Sequence, residues 1–265
     1  MEVSPKSYPQ ADHSGILSSM RLRSLRAFLS ICTILLTGLV PTGHGMAQVV
    51  RSGPGACKAI AFTFDLCPVR EGDGYDAPLI DSLVARRMPA TLFLSDRWMV
   101  THEAEVRALL AVSFFELGTH GRVHAHLPRL DAARQRAEIE GPVTRLRTEY
   151  GYQAPLFRPP YGEYNDLTVE VVRSLGLQFI LWSVVSGDPD PQLSQARIRE
   201  SVRTHVRNGS VIVFHANGKG RHTRAVVEDL YQDLVVNQGL QPVTVTELLK
   251  GCEPGLSHGT IERRP

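Results

Sequence analysis

Two histidines four residues apart, His120 and His124, are the side chains in this sequence best suited to hold a metal ion. If His120-Gly121-Arg122-Val123-His124 forms a helical turn, both imidazoles project from one face, roughly 5–6 Å apart at Cβ. Both rings then reach a single divalent ion, with nitrogens at about 2.0–2.1 Å for zinc. The pair follows a short apolar run, Phe114-Phe115-Glu116-Leu117, and a glycine, Gly118, that permits a sharp turn. Asp65, Arg158, Asp188 and His215 each lie at, or shortly after, the end of an apolar segment with strand character.

Those residues define a chemistry. A metal on His120 and His124 would bind water, and zinc lowers the pKa of such a water from 15.7 to roughly 7. Asp65 would accept the proton as the water attacks, and Arg158 would keep Asp65 ionised. His215 would protonate the leaving group. The reaction so assembled is metal-assisted hydrolysis of an amide or ester.

The elements that must position these groups alternate. Strands are expected at Lys58–Phe64, Ala90–Leu94, Phe114–Leu117, Leu156–Phe157, Leu177–Leu181, Ser210–Phe214 and Gln241–Val245. Helices are expected at Asp76–Arg87, Thr101–Ala111 capped by Thr101, Asp131–Tyr150, from Asn165 or Asp166 to Leu175, Gln192–Arg207, Thr223–Asn237 and Glu247–Lys250. Each return to a parallel strand needs a crossover helix, so about seven such units argue for an α/β protein, a (β/α) barrel before a doubly wound sheet. In a barrel the C-terminal strand ends share one rim, which would gather Asp65, His120, Arg158, Asp188 and His215. No Gly-x-Gly-x-x-Gly loop follows the first strand, which argues against a dinucleotide site.

The ends of the chain read differently. Met20, Arg21, Arg23 and Arg26 precede an apolar run from Ala27 to Val40, and Gly45-Met46-Ala47 supplies small residues for processing. This is the order of a secretory signal peptide, residues 20–47, preceded by a patternless extension, 1–19. The run is shorter than the roughly 20 residues of a membrane span. The expected mature domain is 48–265, periplasmic or secreted. A net charge of +2 gives no reason to expect nucleic acid, and no stable membrane partner is expected. Cys57 and Cys67 flank a strand of ten residues, roughly 33 Å when extended, so they cannot pair. Cys57 with Cys252 is the more reasonable disulfide.

Taken in order, Thr63-Phe64-Asp65, His120-x-x-x-His124, Arg158-Pro159-Pro160-Tyr161-Gly162 and Phe214-His215 resemble the motifs of the polysaccharide deacetylase (NodB-homology) family, from about Ala59 to Leu249. The resemblance implies a distorted (β/α) barrel, a divalent metal, usually zinc, and removal of acetyl groups from an acetylated polysaccharide, either N-acetylated chitin-like or peptidoglycan glycans or O-acetylated xylan. It implies Asp65 as base, Arg158 as the residue orienting it, His215 as acid, and His120 and His124 as metal ligands.

Two departures stand out. The family usually has a metal-binding Asp directly after the first; here it is Leu66. Asp76, Asp73 or Cys67 could replace it, Asp65 could bind the metal itself, or metal binding could be weak or lost; Asp76 is taken as the expected third ligand. Near Trp182, Val185 stands where the resemblance expects an Asp, and Pro189 where it expects a Trp. Asp188 is then the residue able to orient His215, and Tyr161, Tyr164 or Trp182 would supply the aromatic floor for a sugar. The leading expectation is an exported deacetylase; the alternatives are a catalytically inactive glycan-binding barrel, motivated by Leu66, and an amidohydrolase or esterase for small substrates.

Overall fold

The computed structural model describes residues 48–251. The proposed signal peptide and the extension before it lie outside them, as does Cys252; Cys57 is disulfide-bonded. No described helix is long and apolar enough to cross a membrane.

The strands are β1 (Val49–Val50), β2 (Ala59–Leu66), β3 (Ala90–Leu94), β4 (Phe115–Thr119), β5 (Leu156–Phe157), β6 (Gln178–Ile180), β7 (Val184–Val185), β8 (Val211–His215) and β9 (Gln241–Pro242). They form one sheet in the order β1-β6-β5-β4-β3-β2-β8-β7, with β9 beside β2, and every pairing is parallel. The sheet curls into an open (β/α) half-barrel. The connecting helices are α1 (Ala77–Ala85), α2 (Asp96–Thr101), α3 (Glu103–Leu110), α4 (Ala132–Tyr150), α5 (Asp166–Ser174), α6 (Gln195–His205), α7 (Thr223–Leu230) and α8 (Val245–Lys250). The expected distorted barrel is thus observed, with nine strands among the described residues where about seven are expected.

Local chemistry explains most boundaries. Asp131 caps α4 by accepting from the Arg134 amide, and Gly151 closes it in a left-handed conformation. Asn165 and Thr168 form a reciprocal cap on α5. The single helix expected over Thr101–Ala111 is two, because His102 breaks the run at φ −134°, ψ 44°. Thr101 ends α2 rather than capping a helix. The helix expected over Thr223–Asn237 ends α-helically at Leu230 and continues as a π-helix over Tyr231–Asn237.

Strand alternation decides what faces the barrel interior. On β2, Ile60, Phe62, Phe64 and Leu66 join the apolar layer between sheet and helices, with Leu92 and Leu94 of β3 and Ile212 and Phe214 of β8. Ala59 and Ala61 face the other way, into a small interior core with Phe93, Leu156, Ile180 and Val211. Val245 and Leu248 of α8 belong to the same core. The α8 start is fixed there: the Val245 amide donates to Thr91 Oγ1 (2.9 Å) and the Thr246 amide to Glu116 Oε2 (3.2 Å). The interior is filled at this end, and its polar residues gather at the C-terminal ends of the strands.

Leu66 is fully buried in the outer apolar layer, at 0% exposure. Leu66→Asp therefore puts a carboxylate among Leu92, Leu94 and their neighbours, where no cation waits. The expected cost is about 3–5 kcal/mol, the scale of an uncompensated buried charge. Urea denaturation measures it; an unchanged midpoint would show that position 66 turns toward the interior.

Candidate functional site

Continuing the β2 alternation, Asp65 and Cys67 face the interior. They line a cleft of about 320 Å³ together with His120, His124, Tyr161, Trp182, Asp188, His215 and Lys219. Arg158 lies behind this wall, at 0% exposure. The sequence-predicted residues Asp65, His120, His124, Arg158, Asp188, His215, Tyr161 and Trp182 are thus brought together. Asp76 is not. It is the N-cap of α1, its Oδ1 accepting the Leu79 amide at 3.1 Å, and it takes no part in the cleft.

Asp65 and Arg158 are a buried ion pair, Nη1 to Oδ1 at 2.9 Å. Arg158 Nη2 donates to the Leu181 carbonyl, and its guanidinium carbon lies 4.0 Å from the Phe93 ring centroid and 5.6 Å from that of Trp182. Burial alone would push the Asp65 carboxyl up, and the field of His120, Arg158 and His215 more than reverses this.

The histidine pair is not on a helix. Gly121 (φ 73°) and His124 (φ 65°) are both left-handed, so the chain after β4 is an irregular loop. Its free amides are satisfied from α4: Glu138 Oε2 accepts from Arg122 (3.0 Å) and Val123 (3.1 Å). The rings still meet, edge to face with centroids 5.0 Å apart. His120 Nδ1 donates to the Arg158 carbonyl (2.9 Å), which leaves its Nε2 as an acceptor 3.7 Å from Asp65 Oδ2. Burial lowers the pKa of both imidazoles, that of His124 to about 3.

On the opposite wall Asp188 accepts from His215 twice, through the backbone amide and through Nδ1, both at 2.9 Å. It also accepts the hydroxyls of Ser186 (2.9 Å) and Thr223 (2.8 Å). Gly220 makes room for this cluster, since a Cβ there would lie 1.9 Å from Thr223 Oγ1. Asp188 does orient His215, as its position allows. Burial alone would lower the His215 pKa; the bond to Asp188 and its charge raise it above the ordinary value.

Tyr161 is the exposed aromatic of the cleft, at 54%. Its ring stacks on His126, with centroids 4.2 Å apart and planes 8° apart, and meets His124 edge-on. His126 is braced in turn by Glu163 at 2.8 Å. Trp182 packs over Gly162, where a Cβ would lie 2.8 Å from the indole. Tyr164 packs instead against Phe179 and does not line the cleft.

Residues 52–180 match the polysaccharide deacetylase family. The chain carries a domain of that family. It is 28% identical to a peptidoglycan-N-acetylglucosamine deacetylase of Bacillus cereus, over 82% of this chain and 98% of that protein. It is 26% identical to a bifunctional xylanase/deacetylase of Pseudobutyrivibrio xylanivorans, over 76% of this chain but only 32% of that protein. Among solved structures, a CE4 family pseudoenzyme from Bacillus anthracis superposes with a TM-score of 0.69 at 20% identity, covering 77% of this chain and 69% of that one. A mutant of that pseudoenzyme has restored enzymatic activity.

The family implies a metal, and this donor set does not fit one. Among the described residues no group of three His, Cys, Asp or Glu side chains is placed to hold an ion. Leu66 faces the wrong layer, Asp76 caps a helix, and burial pushes the Cys67 thiol up to about 11, so it stays protonated. Asp65 is engaged by Arg158. The expectation of an active, zinc-dependent deacetylase, with Asp76 as third ligand, is therefore corrected. At 20% identity the likeness to the pseudoenzyme shows the architecture alone.

Sequence reasoning missed Glu138, Cys67's neighbour Asn217, and Lys219. The signal for Glu138 was present, an acidic residue on the buried face of an amphipathic helix.

A titration tests the second wall. Since the folded His215 pKa exceeds its unfolded value near 6.5, the stabilisation it brings is complete below that pH and fades as pH rises through the folded value. Asp188→Asn is expected to lower the His215 midpoint seen by NMR and to flatten the stability profile over that window. An unmoved midpoint would show that Asp188 is not its source.

Proposed function

We propose that this chain is a glycan-binding member of the polysaccharide deacetylase family without metal-dependent deacetylase activity. The observation that carries this reading is Leu66. Where the family resemblance expects a metal-binding carboxylate, strand alternation turns an aliphatic side chain into the outer apolar layer, and no other described residue completes a metal site. What remains is an open cleft with an exposed, braced aromatic ring at Tyr161, a second aromatic at Trp182, and polar walls. Ligand clefts are built in this way: mostly apolar surface with a few fixed polar groups.

The glycan class is supported by the relatives. Peptidoglycan N-acetylglucosamine is named for the Bacillus cereus protein, and this chain is 30% identical, over 72% of its length, to a peptidoglycan-N-acetylmuramic acid deacetylase of Bacillus subtilis, of which it spans 38%. The order of charges and apolar residues over 20–47 supports export, so the ligand would be met outside the cytoplasm. A small-substrate amidohydrolase or esterase would need the same missing metal.

Two measurements test the proposal. Incubated with fully acetylated chitin or peptidoglycan oligomers, with and without added zinc, the protein is expected to release no acetate above background; metal-dependent release would refute the inactive reading. By calorimetry the same oligomers are expected to bind, and Tyr161→Ala to weaken binding on the order of tenfold, about 1.4 kcal/mol, the scale of one aromatic contact. Unchanged affinity in that variant would remove Tyr161 from the binding surface.

A further inference from the structure

The charges of the cleft do not cancel evenly. Asp65 is buried and engaged by Arg158, and Asp188 is buried and accepts four hydrogen bonds. Lys219 is different. It is exposed, lines the cleft, and makes no ion pair among the described residues. Its Nζ lies 3.9 Å from Cys67 Sγ, a thiol that stays protonated and cannot neutralise it. It lines the cleft together with His124 of one wall and His215 of the other.

The segment bearing Lys219 is held at both ends. Asn217 is buried; its Nδ2 donates to the Cys67 carbonyl (3.1 Å) and Sγ (3.0 Å), and its Oδ1 accepts the Lys219 amide (3.3 Å). Gly218 turns the chain at φ 76°, and Gly220 is pinned against Thr223 and Asp188. An unpaired ammonium on a fixed loop costs little further ordering when it meets an anion.

Resting on the glycan-binding reading, we propose that Lys219 makes the cleft selective for a saccharide bearing a carboxylate, such as a lactyl or uronic acid, over its uncharged counterpart. A carboxylate entering here meets one uncompensated cation and no exposed anion of the lining. An uncharged amide in its place forfeits the charge and keeps the same sugar contacts.

The test is a matched pair of probes: the disaccharide of N-acetylglucosamine and N-acetylmuramic acid with its lactyl carboxylate free, and the same disaccharide with that group as a methylamide. Calorimetry at 50 mM salt is expected to favour the acid by about fivefold or more, and 500 mM salt to erode the preference as screening shortens. The ratio is expected to fall to about one in Lys219→Met and to persist in Lys219→Arg. Equal affinity for both probes in the wild type, or a preference that survives Lys219→Met, overturns the carboxylate selectivity and leaves glycan binding standing. Binding of neither probe overturns both.

Discussion

Arg158 has one place to put its charge. It is fully buried between Phe93 and Trp182, and Asp65 is the carboxylate within reach. A guanidinium in such a setting without its partner would be an uncompensated charge, costing several kcal/mol. The pair ties the end of β2 to the end of β5 across two intervening strands. The Arg158 backbone then orients His120 through its carbonyl, and its Nη2 reaches the Leu181 carbonyl just before Trp182. One ion pair thereby sets the spacing of one wall of the cleft.

The opposite wall follows the same logic with a different acceptor. Asp188 stands beyond β7, and four donors converge on it from Ser186, Thr223 and His215. The tightness of that cluster explains the absence of a side chain at Gly220. Two buried carboxylates, each satisfied inside the fold, leave the mouth of the cleft to Lys219 and to the aromatic rings.

Much of this was legible in the sequence, and the part that was not has physical reasons. The strand over Ala90–Leu94 and the pair Leu156–Phe157 are bounded as their apolar runs suggest, and the Asp131 cap marks the start of α4. The strand ends converge on one rim because the strands are parallel. By contrast β1 and β7 are two residues long, too short to carry a period, and the strand expected over Gln241–Val245 ends at Pro242. Spacing alone made His120 and His124 look helical, whereas two left-handed residues and the Glu138 carboxylate set the loop. Asp76 had the residue type of a ligand but the position of an N-cap, three residues before Leu79, whose amide it accepts. The side-chain direction at position 66 was readable in principle. Large apolar residues recur at 60, 62, 64 and 66, against small or polar ones at 59, 61, 63, 65 and 67, and that alternation alone assigns Leu66 to the outer layer.

Asp65, Arg158 and the His215–Asp188 pair, retained beside a donor set that completes no metal site among the described residues, argue at first for catalysis. The energetics of the interior supply another reason for them to stay. Removing Asp65 strands Arg158, removing Arg158 strands Asp65, and removing Asp188 leaves the hydroxyls of Ser186 and Thr223 and the His215 amide without an acceptor in a buried site. A metal ligand is under no such constraint. An aspartate at position 66 would face the apolar layer, and a leucine there completes that layer. The groups that support one another persist as structure, and the one position whose polar side chain would have no partner inside the fold is the position where the metal site fails.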